Sequence, residues 1–340
     1  MTRVLLTGGS GFIASHVLKI LLERGYSVVA TVRSQDKTNI LKQAYPDLGP
    51  GRLNFAIVKD MAVEGAFDEV LKSDSFDAVV HTASPFHFNV TNVEKDLLNP
   101  AILGTTGILK SIKNHAPTVK RVVYTSAFAA VFNPFKGNWP EHTYTEEDWN
   151  PMTYEQSLGD PISGYTGSKL LAERAAWDFM EREKPNFTLS TLIPPFVFGP
   201  VLHGVSSFDA LNTSNQFLAS FILPGYREKF PFAGLYIWTD VRDLALAHVL
   251  AVEKEEAAGK RFLFVTGHFS YKQIYEAIGK NFPEFKGILE EGAKTERGDY
   301  QPDEYYKVDH TRAKEVLGVE FTKFEKSVAD TIESIKEVKG

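Results

Sequence analysis

Short apolar runs alternate with longer segments of helical spacing through the first half of the chain, and this alternation constrains the fold more than any other feature. The runs are rich in β-branched and aliphatic residues and cover residues 4–7, 26–32, 53–58, 78–81 and 121–125. The segments of helical spacing lie between them, over residues 13–24, 36–45, 64–72 and 92–115. Strands that are apolar at consecutive positions are buried on both faces. The alternation therefore predicts an α/β fold built on a doubly wound parallel sheet.

The pattern changes in the second half of the chain. We expect one more helix over 170–184 and one more buried strand over 188–193. From 194 to 238 the sequence has seven Phe, several Gly and Pro and little periodicity, which is typical of loops and short elements over a pocket. We predict a sheet domain over 1–190 and a smaller, pocket-forming domain over 191–340, and the helix expected near 241–254 should return to the first domain. Further elements are expected as a strand over 261–266 and helices over 271–281 and 324–338.

A glycine-rich loop joins the first predicted strand to the first predicted helix. Its spacing is Gly8-x-x-Gly11-x-x-Ala14. Small residues at these positions permit a tight turn, allow backbone N–H groups to approach a pyrophosphate, and bring the helix close to the sheet. Such a loop alone is a weak signal, because an ordinary strand–helix turn also contains glycines. Its place in the first βαβ unit predicts a Rossmann-type dinucleotide-binding domain.

The end of the second predicted strand discriminates between NAD and NADP. An NAD site has Asp or Glu there to bind the ribose 2′-OH, whereas a 2′-phosphate requires Arg. Here the strand ends in Arg33 and Lys37 follows, while Asp36 lies beyond the strand end. Arg33 offers a planar, bidentate guanidinium and Lys37 a point charge, although both could also be solvated surface charges. We favour NADPH as the cofactor.

Two residues after the third predicted strand are placed where an adenine ring would lie. Asp60 could accept a hydrogen bond from the edge of the ring, and Met61 could cover its face. An equally natural interpretation makes Asp60 the N-cap of the next helix.

Tyr165 and Lys169 are four residues apart on the helix that follows the fifth predicted strand, and they therefore share one face of it. A phenol is a poor acid near neutral pH. Because a neighbouring ammonium stabilises the phenolate, we expect Lys169 to lower the pKa of Tyr165 and make it a usable proton donor to a carbonyl oxygen. Lysine can also hold the ribose of a nicotinamide. The pattern is weak by itself, and its position after the fifth strand is what supports it.

These motifs occur together in one known family. The glycine loop over 7–14, the sequence His-Thr-Ala-Ser-Pro over 81–85, the Tyr165–Lys169 pair and the sequence Val-Phe-Gly-Pro over 197–200 resemble the extended short-chain dehydrogenase/reductases. Within that family the chain is similar, nearly end to end, to the dihydroflavonol-reductase-like branch. In that branch it is most similar to the methylglyoxal (isovaleraldehyde) reductases and related fungal carbonyl reductases.

The resemblance implies an NADPH-dependent reduction of aldehydes and ketones to alcohols. A hydride would come from the nicotinamide and a proton from Tyr165, with Lys169 assisting. The residues that the resemblance implies as contacts of the cofactor are Gly8, Gly9, Ser10, Gly11, Phe12, Ile13, Arg33, Lys37, Asp60, Met61, Thr82, Ala83, Tyr165, Lys169, Val197 and Ser214.

The chain departs from the family pattern at one catalytic position. The family has a Ser near the end of the fifth strand, usually the second Ser of a Thr-Ser-Ser run, and here the run is Thr125-Ser126-Ala127. Alignment through the following Ala-Ala-Val places Ala127 in the catalytic position. Ser126 is the fallback only if that register is wrong by one residue, because adjacent strand residues point to opposite faces. Otherwise the natural protein tolerates Ala, or this chain carries a Ser→Ala change at position 127, which is the hypothesis we favour.

The Phe-rich part of the chain suits a small, apolar carbonyl substrate. Phe86, Phe88 and Phe132 lie nearest to the catalytic motifs, although many Phe in such a chain are core residues. Only two basic residues occur between 194 and 238, which is few for a site that binds the diphosphate of a nucleotide sugar. Two alternatives stay open: a nucleotide-sugar epimerase or dehydratase of the same fold, and a catalytically weak NADP(H)-binding regulator, which only Ala127 supports.

Composition argues against several other classes. Without any Cys the chain has no disulfide, no CxxC pair, no Cys nucleophile and no thiolate metal site. Its net charge of −6 gives no support to nucleic-acid binding. His81, His87 and His203 lack metal-ligand spacing, so we predict no metal site. We expect neither a cleavable leader nor a membrane span, and therefore predict a cytoplasmic monomer or homodimer that acts on a small-molecule carbonyl.

Overall fold

The strands and helices follow the expected alternation. The computed structural model describes residues 2–84, 90–203, 205, 207–223, 225–226, 235–295 and 299–338. Its strands are β1 (Arg3–Thr7), β2 (Ser27–Val32), β3 (Leu53–Ile57), β4 (Ala78–His81), β5 (Arg121–Thr125), β6 (Thr143–Tyr144), β7 (Thr188–Ile193), β8 (Phe196–Phe198), β9 (Ile237–Asp240), β10 (Arg261–Leu263), β11 (Gly267–His268) and β12 (Lys307–Val308). Its α-helices are α1 (Phe12–Glu23), α2 (Gln35–Ala44), α3 (Asp68–Ser73), α4 (Asn99–His115), α5 (Tyr154–Ser157), α6 (Pro161–Glu183), α7 (Thr213–Ala219), α8 (Val241–Glu253), α9 (Tyr271–Asn281), α10 (Lys286–Thr295) and α11 (Phe324–Ile335).

The main sheet is parallel and has seven strands in the order β3-β2-β1-β4-β5-β7-β10. The predicted Rossmann-type, doubly wound sheet is therefore confirmed. The strand order reverses between β1 and β4, and in such sheets ligands bind outside the carboxyl ends of the strands at this point. A ligand site is therefore expected at the carboxyl ends of β1, β4 and β5.

Helices cover both faces of this sheet. On one face, Val4 and Leu6 of β1 belong to the same buried cluster as Leu18 of α1 and Leu244 of α8. On the other face, Leu5 of β1 lies in the cluster that includes residues of α3, α4 and α6. Neighbouring strand residues point to opposite faces, so one apolar run fills both cores. Burial of each such Leu stabilises the fold by about 1.5–3 kcal/mol.

A second, smaller unit follows the sheet. Strands β8, β9 and β11 form a three-stranded sheet, and an aromatic core that includes Phe198, Phe217 and Trp238 covers it. Helix α8 packs against α1, and β10 pairs with β7, so both lie with the main sheet although they follow residue 190. The division of the chain into two domains at 190/191 stays a prediction. Within the described ranges, no helix has both the length and the apolar character that a membrane span requires.

Helix α6 begins nine residues earlier than predicted, at Pro161. Asp160 caps the helix, because its Oδ1 accepts the N–H groups of Ile162 and Ser163 at 2.8 and 3.1 Å. Pro is also favoured at the first helical position, where its missing N–H removes no hydrogen bond. Helix α10 was not expected from the sequence. In addition, α3 begins at 68 rather than 64, β10 ends at 263 rather than 266, and a π-helical turn over 94–98 precedes α4.

Candidate active site

The loop between β1 and α1 is held tightly against its neighbours. Gly8 has a φ of +67°, which favours glycine, and a Cβ there would lie 3.0 Å from Cα of Ala83. At Gly9 a Cβ would lie 2.7 Å from Cβ of Ala30. The Gly9 N–H donates to the Thr31 carbonyl at 2.8 Å. The absence of side chains at these two positions lets the loop lie directly against β2 and the segment after β4.

Among the residues that the structure describes, no side chain caps the backbone N–H groups in the first turn of α1. Its N-cap is Gly11, whose N–H donates to the Gly8 carbonyl at 2.7 Å, and the turn contains no acidic residue. Phe12 and Ile13 open the helix, and Ser10 precedes it, all three partly buried. Uncapped N–H groups and the helix dipole together favour an anion such as a pyrophosphate. The loop and the helix therefore fit a dinucleotide.

Two exposed cations lie at the carboxyl end of β2. Arg33 directly follows the strand, and Lys37 lies in the first turns of α2 with Asp36 beside it. Ser34 caps this helix, and its Oγ accepts the Lys37 N–H at 3.5 Å. Because both basic side chains are exposed, they are accessible to a phosphate beside β2.

The turn after β3 is not a helix N-terminus. Asp60 is exposed, and its Oδ1 accepts the Ala62 N–H at 2.9 Å. Helix α3 begins only at Asp68, so the interpretation of Asp60 as its N-cap is wrong. Met61 is 9% exposed, and a Cβ at Gly104 of α4 would overlap its methyl group. Contact of Asp60 and Met61 with an adenine stays a prediction.

The segment after β4 is tied to the end of β1. The Thr7 hydroxyl accepts the Ala83 N–H at 3.1 Å and lies 2.8 Å from Nδ1 of His81. The Thr82 hydroxyl donates to the Thr7 carbonyl at 2.7 Å. Burial, and after it the positive charge of Lys169, lowers the pKa of His81 to about 3. His81 is therefore neutral at physiological pH, and it supports the segment that contains Thr82 and Ala83.

Helix α6 brings Tyr165 and Lys169 to the same segment. Nζ of Lys169 donates to Oγ of Ser84 at 2.6 Å and lies 5.6 Å from the centroid of the Tyr165 ring. Lys169 is 8% exposed, and Tyr165 is partly buried. Ser84 follows Ala83, which lies against Gly8. The glycine loop, the segment after β4 and the Tyr–Lys face of α6 therefore meet at the carboxyl edge of the sheet.

Two glycines beside Tyr165 allow α6 to approach its neighbours closely. A Cβ at Gly164 would overlap Val93, and one at Gly167 would overlap Ser157. Larger residues at either position would push the helix outward. The position of the Tyr165 and Lys169 side chains therefore depends on these glycines.

Burial dominates the proton affinities of the Tyr–Lys pair. It raises the pKa of Tyr165 to about 12 and lowers the pKa of Lys169 to about 8. The expectation of a lowered pKa for Tyr165 is therefore wrong, because burial removes water from around the phenolate and thereby raises the pKa. At neutral pH the phenol keeps its proton and the ammonium largely keeps its charge.

The two residues that follow β5 have different surroundings. Ser126 is buried, and its hydroxyl donates to Oε2 of Glu173 at 2.5 Å. Ala127 has an extended backbone, with φ −154° and ψ 155°, and remains partly exposed. The hydroxyl of Ser126, the fallback residue, is thus engaged between the sheet and α6. The assignment of Ala127 to the position of the family Ser stays a prediction.

Val197 and Ser214 contact each other in the second unit. The Val197 N–H donates to Oγ of Ser214 at 3.2 Å, which joins β8 to the first turn of α7. Val197 is 6% exposed. The structure brings these two predicted cofactor contacts together, and their role stays a prediction.

One of the three predicted pocket residues lies within the described residues. Phe86 and Phe88 lie outside them, as does His87. Phe132 is partly buried, and its ring centroid lies 6.0 Å from that of Phe128 and 5.9 Å from that of Tyr306. Phe132 therefore belongs to an aromatic cluster, and its contact with a substrate stays a prediction.

Two polar partners of the site were not expected from the sequence. Ser84 accepts the bond from Lys169, and Glu173 accepts the bond from Ser126. Glu173 follows Lys169 by four residues, so helical spacing could have placed it on the same face of α6. No comparable signal distinguishes the hydroxyl of Ser84 from that of any other loop serine.

The parallel sheet, the glycine loop and the Tyr–Lys pair define a short-chain dehydrogenase/reductase. Residues 4–266 match the model of the NAD dependent epimerase/dehydratase family. The chain belongs to this family of extended short-chain dehydrogenase/reductases.

Named relatives share nearly the whole chain. The ketoreductase azaE of Aspergillus niger is 44% identical over 337 residues, which cover 98% of each chain. The NADPH-dependent methylglyoxal reductase GRE2 of Saccharomyces cerevisiae is 37% identical over 343 residues, or 99% of each chain. The crystal structure of Gre2 in complex with NADPH from Candida albicans aligns with a TM-score of 0.88 at 37% identity, over 100% of both chains. The resemblance to fungal carbonyl reductases is therefore confirmed.

Proposed function

We propose that this chain is an NADPH-dependent carbonyl reductase that reduces small aldehydes and ketones to alcohols. One observation carries the proposal: the bond from Lys169 to Ser84 joins the Tyr–Lys face of α6 to the segment that packs on the glycine loop. A proton donor, an ammonium and a nucleotide-binding loop thus share one edge of the sheet. The relatives named as a ketoreductase and as an NADPH-dependent methylglyoxal reductase support the same activity.

The described residues fit NADPH. The side-chain-free loop at Gly8 and Gly9 and the uncapped end of α1 suit the pyrophosphate. Arg33 and Lys37 suit the 2′-phosphate, and Arg33 stands where an NAD site has an acidic residue. When bound, NADPH supplies the hydride that reduces the carbonyl carbon.

Tyr165 supplies the proton that completes the alcohol. Its buried phenol, with a pKa of about 12, keeps its proton at neutral pH until negative charge develops on the carbonyl oxygen. Transfer of that proton leaves a phenolate, which the nearby Lys169 ammonium stabilises by its positive charge. Solvent then returns a proton to Tyr165.

The methyl group of Ala127 cannot donate a hydrogen bond to the carbonyl oxygen. If Ala127 occupies the position of the family Ser, the developing negative charge has one donor fewer. Loss of such a donor typically costs about 10²–10³ in rate. We therefore expect a slow reductase, and Ala127 also favours a second candidate function, an NADP(H)-binding regulator with little turnover.

The decisive experiment follows NADPH absorbance in the presence of methylglyoxal, isovaleraldehyde or an aryl ketone. Tyr165→Phe removes only the phenol hydroxyl and should lower kcat by about 10²–10⁴, with a far smaller effect on the Kd for NADPH. Tyr154→Phe is the matched control, because the Tyr154 hydroxyl donates to Glu94 on an exposed surface. It should leave kcat unchanged.

Three outcomes would separate the candidate functions. Oxidation of NADPH that depends on Tyr165 supports the reductase. Tight NADPH binding without turnover, in the wild-type chain and in Ala127→Ser, would support the regulator. Conversion of a nucleotide sugar without net oxidation of NADPH would support an epimerase instead.

We further propose that the enzyme acts in the cytoplasm as a monomer or homodimer on a small-molecule carbonyl. Light scattering of the purified chain measures its oligomeric state. A fluorescent fusion measures its location, and accumulation in a membrane-bounded organelle would contradict the proposal.

A further inference from the structure

Helix α6 presents a third polar residue on the face that contains the Tyr–Lys pair. Tyr165, Lys169 and Glu173 follow each other at four-residue spacing, so they form one stripe along the helix. Glu173 is 0% exposed. The steps of the proposed reduction use Tyr165 and Lys169 but leave this buried carboxylate without a role.

The Glu173 carboxylate binds three neighbouring strands of the sheet. Its Oε2 accepts the hydroxyl of Ser126, directly after β5, at 2.5 Å. Its Oε1 accepts the hydroxyl of Thr191 on β7 at 2.9 Å and Nε of Arg261 on β10 at 2.8 Å. β5 pairs with β7, and β7 pairs with β10, so one side chain fixes α6 across adjacent strands.

Arg261 extends the same network to the connection that leads into α6. Its Nη1 donates to the carbonyl oxygens of Glu146 and Asp148 at 2.5 and 2.9 Å. Its guanidinium lies 3.6 Å from the centroid of the Trp149 ring. The guanidinium that pairs with the Glu173 carboxylate is therefore itself held in place by two backbone carbonyls and by the Trp149 ring.

This network connects α6, which carries the proton donor Tyr165, to the segment that directly follows β5. Ser126 immediately precedes Ala127, and Tyr165 lies two helical turns from Glu173 on the same stripe. A shift of α6 along or away from the sheet would move Tyr165 relative to the carbonyl oxygen. A misplacement of about 1 Å can lower a rate by about 10²-fold. If Ala127 occupies the position of the family Ser, no hydroxyl there orients that oxygen, and the position of Tyr165 then matters more.

We propose that Glu173, held by Arg261 and by the Ser126 hydroxyl, is a positioning residue that places Tyr165 and Lys169 for proton transfer. The proposal rests on the proposed reductase function, since it concerns the same proton donor. It predicts a lower kcat and a shifted titration of Lys169 when the network is broken, with the Kd for NADPH unchanged at a pH where Lys169 stays charged.

The first test compares two buried Ser→Ala variants. Ser126→Ala removes the bond that joins β5 to Glu173, and it should lower kcat by about 10- to 100-fold with the Kd for NADPH unchanged. The control is Ser190→Ala on β7, because Ser190 is also buried but its hydroxyl donates to the Ala257 carbonyl at 2.7 Å. It should lower the melting temperature by a similar amount and leave kcat within about twofold of the wild type. Equal kcat values for the two variants would overturn the proposal.

The second test distinguishes positioning from direct catalysis by Ser126. In a double-mutant cycle with Glu173→Gln, a hydroxyl that acts through Glu173 gives a double variant no slower than Glu173→Gln alone. If Ser126→Ala slows both backgrounds by the same factor, Ser126 acts independently and the proposal fails. Should Glu173→Gln not fold, the pH midpoint of NADPH binding described next decides the question, because loss of a hydroxyl that only contacts the substrate would not move it.

A third measurement does not need turnover. We expect the affinity for NADPH to decline at high pH as Lys169 loses its proton, and Ser126→Ala should shift the midpoint of that decline while Ser190→Ala does not. If the wild-type chain reduces no carbonyl, the proposed function fails, and this midpoint alone then decides the positioning role. If the wild type turns over and neither kcat nor the midpoint responds to Ser126→Ala, only the positioning role fails.

Discussion

The Lys169 ammonium donates a hydrogen bond to the Ser84 hydroxyl at 2.6 Å, and this bond joins α6 to the segment that follows β4. Only 8% of Lys169 is exposed, so the ammonium has lost most of its contact with water. The Ser84 oxygen replaces part of that hydration. The charge state of Lys169 therefore depends on the balance between burial and this one acceptor.

We expect kcat/KM for NADPH to fall as the pH rises through about 8, where the buried Lys169 loses its proton. A group with this pKa is charged below that pH and neutral above it, so the stabilisation that the charge provides is present at neutral pH and lost in alkaline solution. His81 contributes nothing in this range, because its pKa is about 3. The measurement is a pH profile of kcat/KM for NADPH, which reports groups of the free enzyme.

Lys169→Arg provides the control for this profile, since a guanidinium stays charged throughout the accessible range. Its activity, even if lower, should not show the alkaline fall. A wild-type profile that stays flat well above pH 8 would contradict the expected deprotonation of Lys169.

Ser84→Ala should move the alkaline fall to lower pH, because it removes an acceptor that favours the charged form of Lys169. A hydrogen bond to a charged group contributes roughly 1.5–3 kcal/mol, and one pKa unit corresponds to about 1.4 kcal/mol, so we expect a shift of about one to two units. Ser75→Ala, at an exposed position after α3, should not move the profile. A Ser84→Ala profile that coincides with the wild type would show that the hydroxyl does not influence Lys169.

Arg33→Ala should weaken NADPH binding and leave NADH binding nearly unchanged. The guanidinium would contact only the 2′-phosphate, and a charge-assisted contact of about 1.5–3 kcal/mol corresponds to a factor of about 10–100 in Kd. Titration of the protein with each dinucleotide measures both constants. Lys42→Ala, at the exposed far end of α2, is the control and should change neither. If Arg33→Ala weakened the binding of NADPH and of NADH equally, Arg33 would not contact the 2′-phosphate.

Gly9→Ala should destabilise the fold and weaken cofactor binding, since the new Cβ would lie 2.7 Å from Cβ of Ala30. Relief of such overlap requires a shift of the loop or of β2 that costs about 1–3 kcal/mol. Gly107→Ala in α4 is the matched control, because no described residue would lie within 4 Å of a Cβ there. It should be neutral or stabilising by up to about 1 kcal/mol. Thermal unfolding with and without NADPH checks both variants, and similar melting temperatures would contradict the tight packing of the loop.

The fold could be predicted because a strand that is buried on both faces appears in the sequence as a short, continuous apolar run. The runs over 53–58, 78–81 and 121–125 match β3, β4 and β5 within one residue. The start of α6 could not be predicted in this way. Gly164 and Gly167 lower helix propensity before residue 170, and the cap at Asp160 together with packing against Val93 and Ser157 overrides it.

The candidate site was predictable only where it rests on local spacing. The glycine loop and the Tyr165–Lys169 pair are recognisable in a few residues of sequence. The bond between Lys169 and Ser84 spans 85 residues, and that between Ser126 and Glu173 spans 47, so no local pattern contains either. The raised pKa of Tyr165 also follows from burial, which depends on the packed structure.

Ala127→Ser should raise kcat by about 10²-fold, because a hydroxyl at this partly exposed position after β5 would donate to the oxygen on which negative charge develops. The Kd for NADPH should not change, since the added hydroxyl would face the substrate carbonyl. Ala129→Ser, two residues further on and also partly exposed, is the matched control and should leave kcat unchanged. Steady-state kinetics with methylglyoxal and an aryl ketone measure the effect. An unchanged rate for Ala127→Ser would show that residue 127 does not face the carbonyl oxygen as a hydrogen-bond donor.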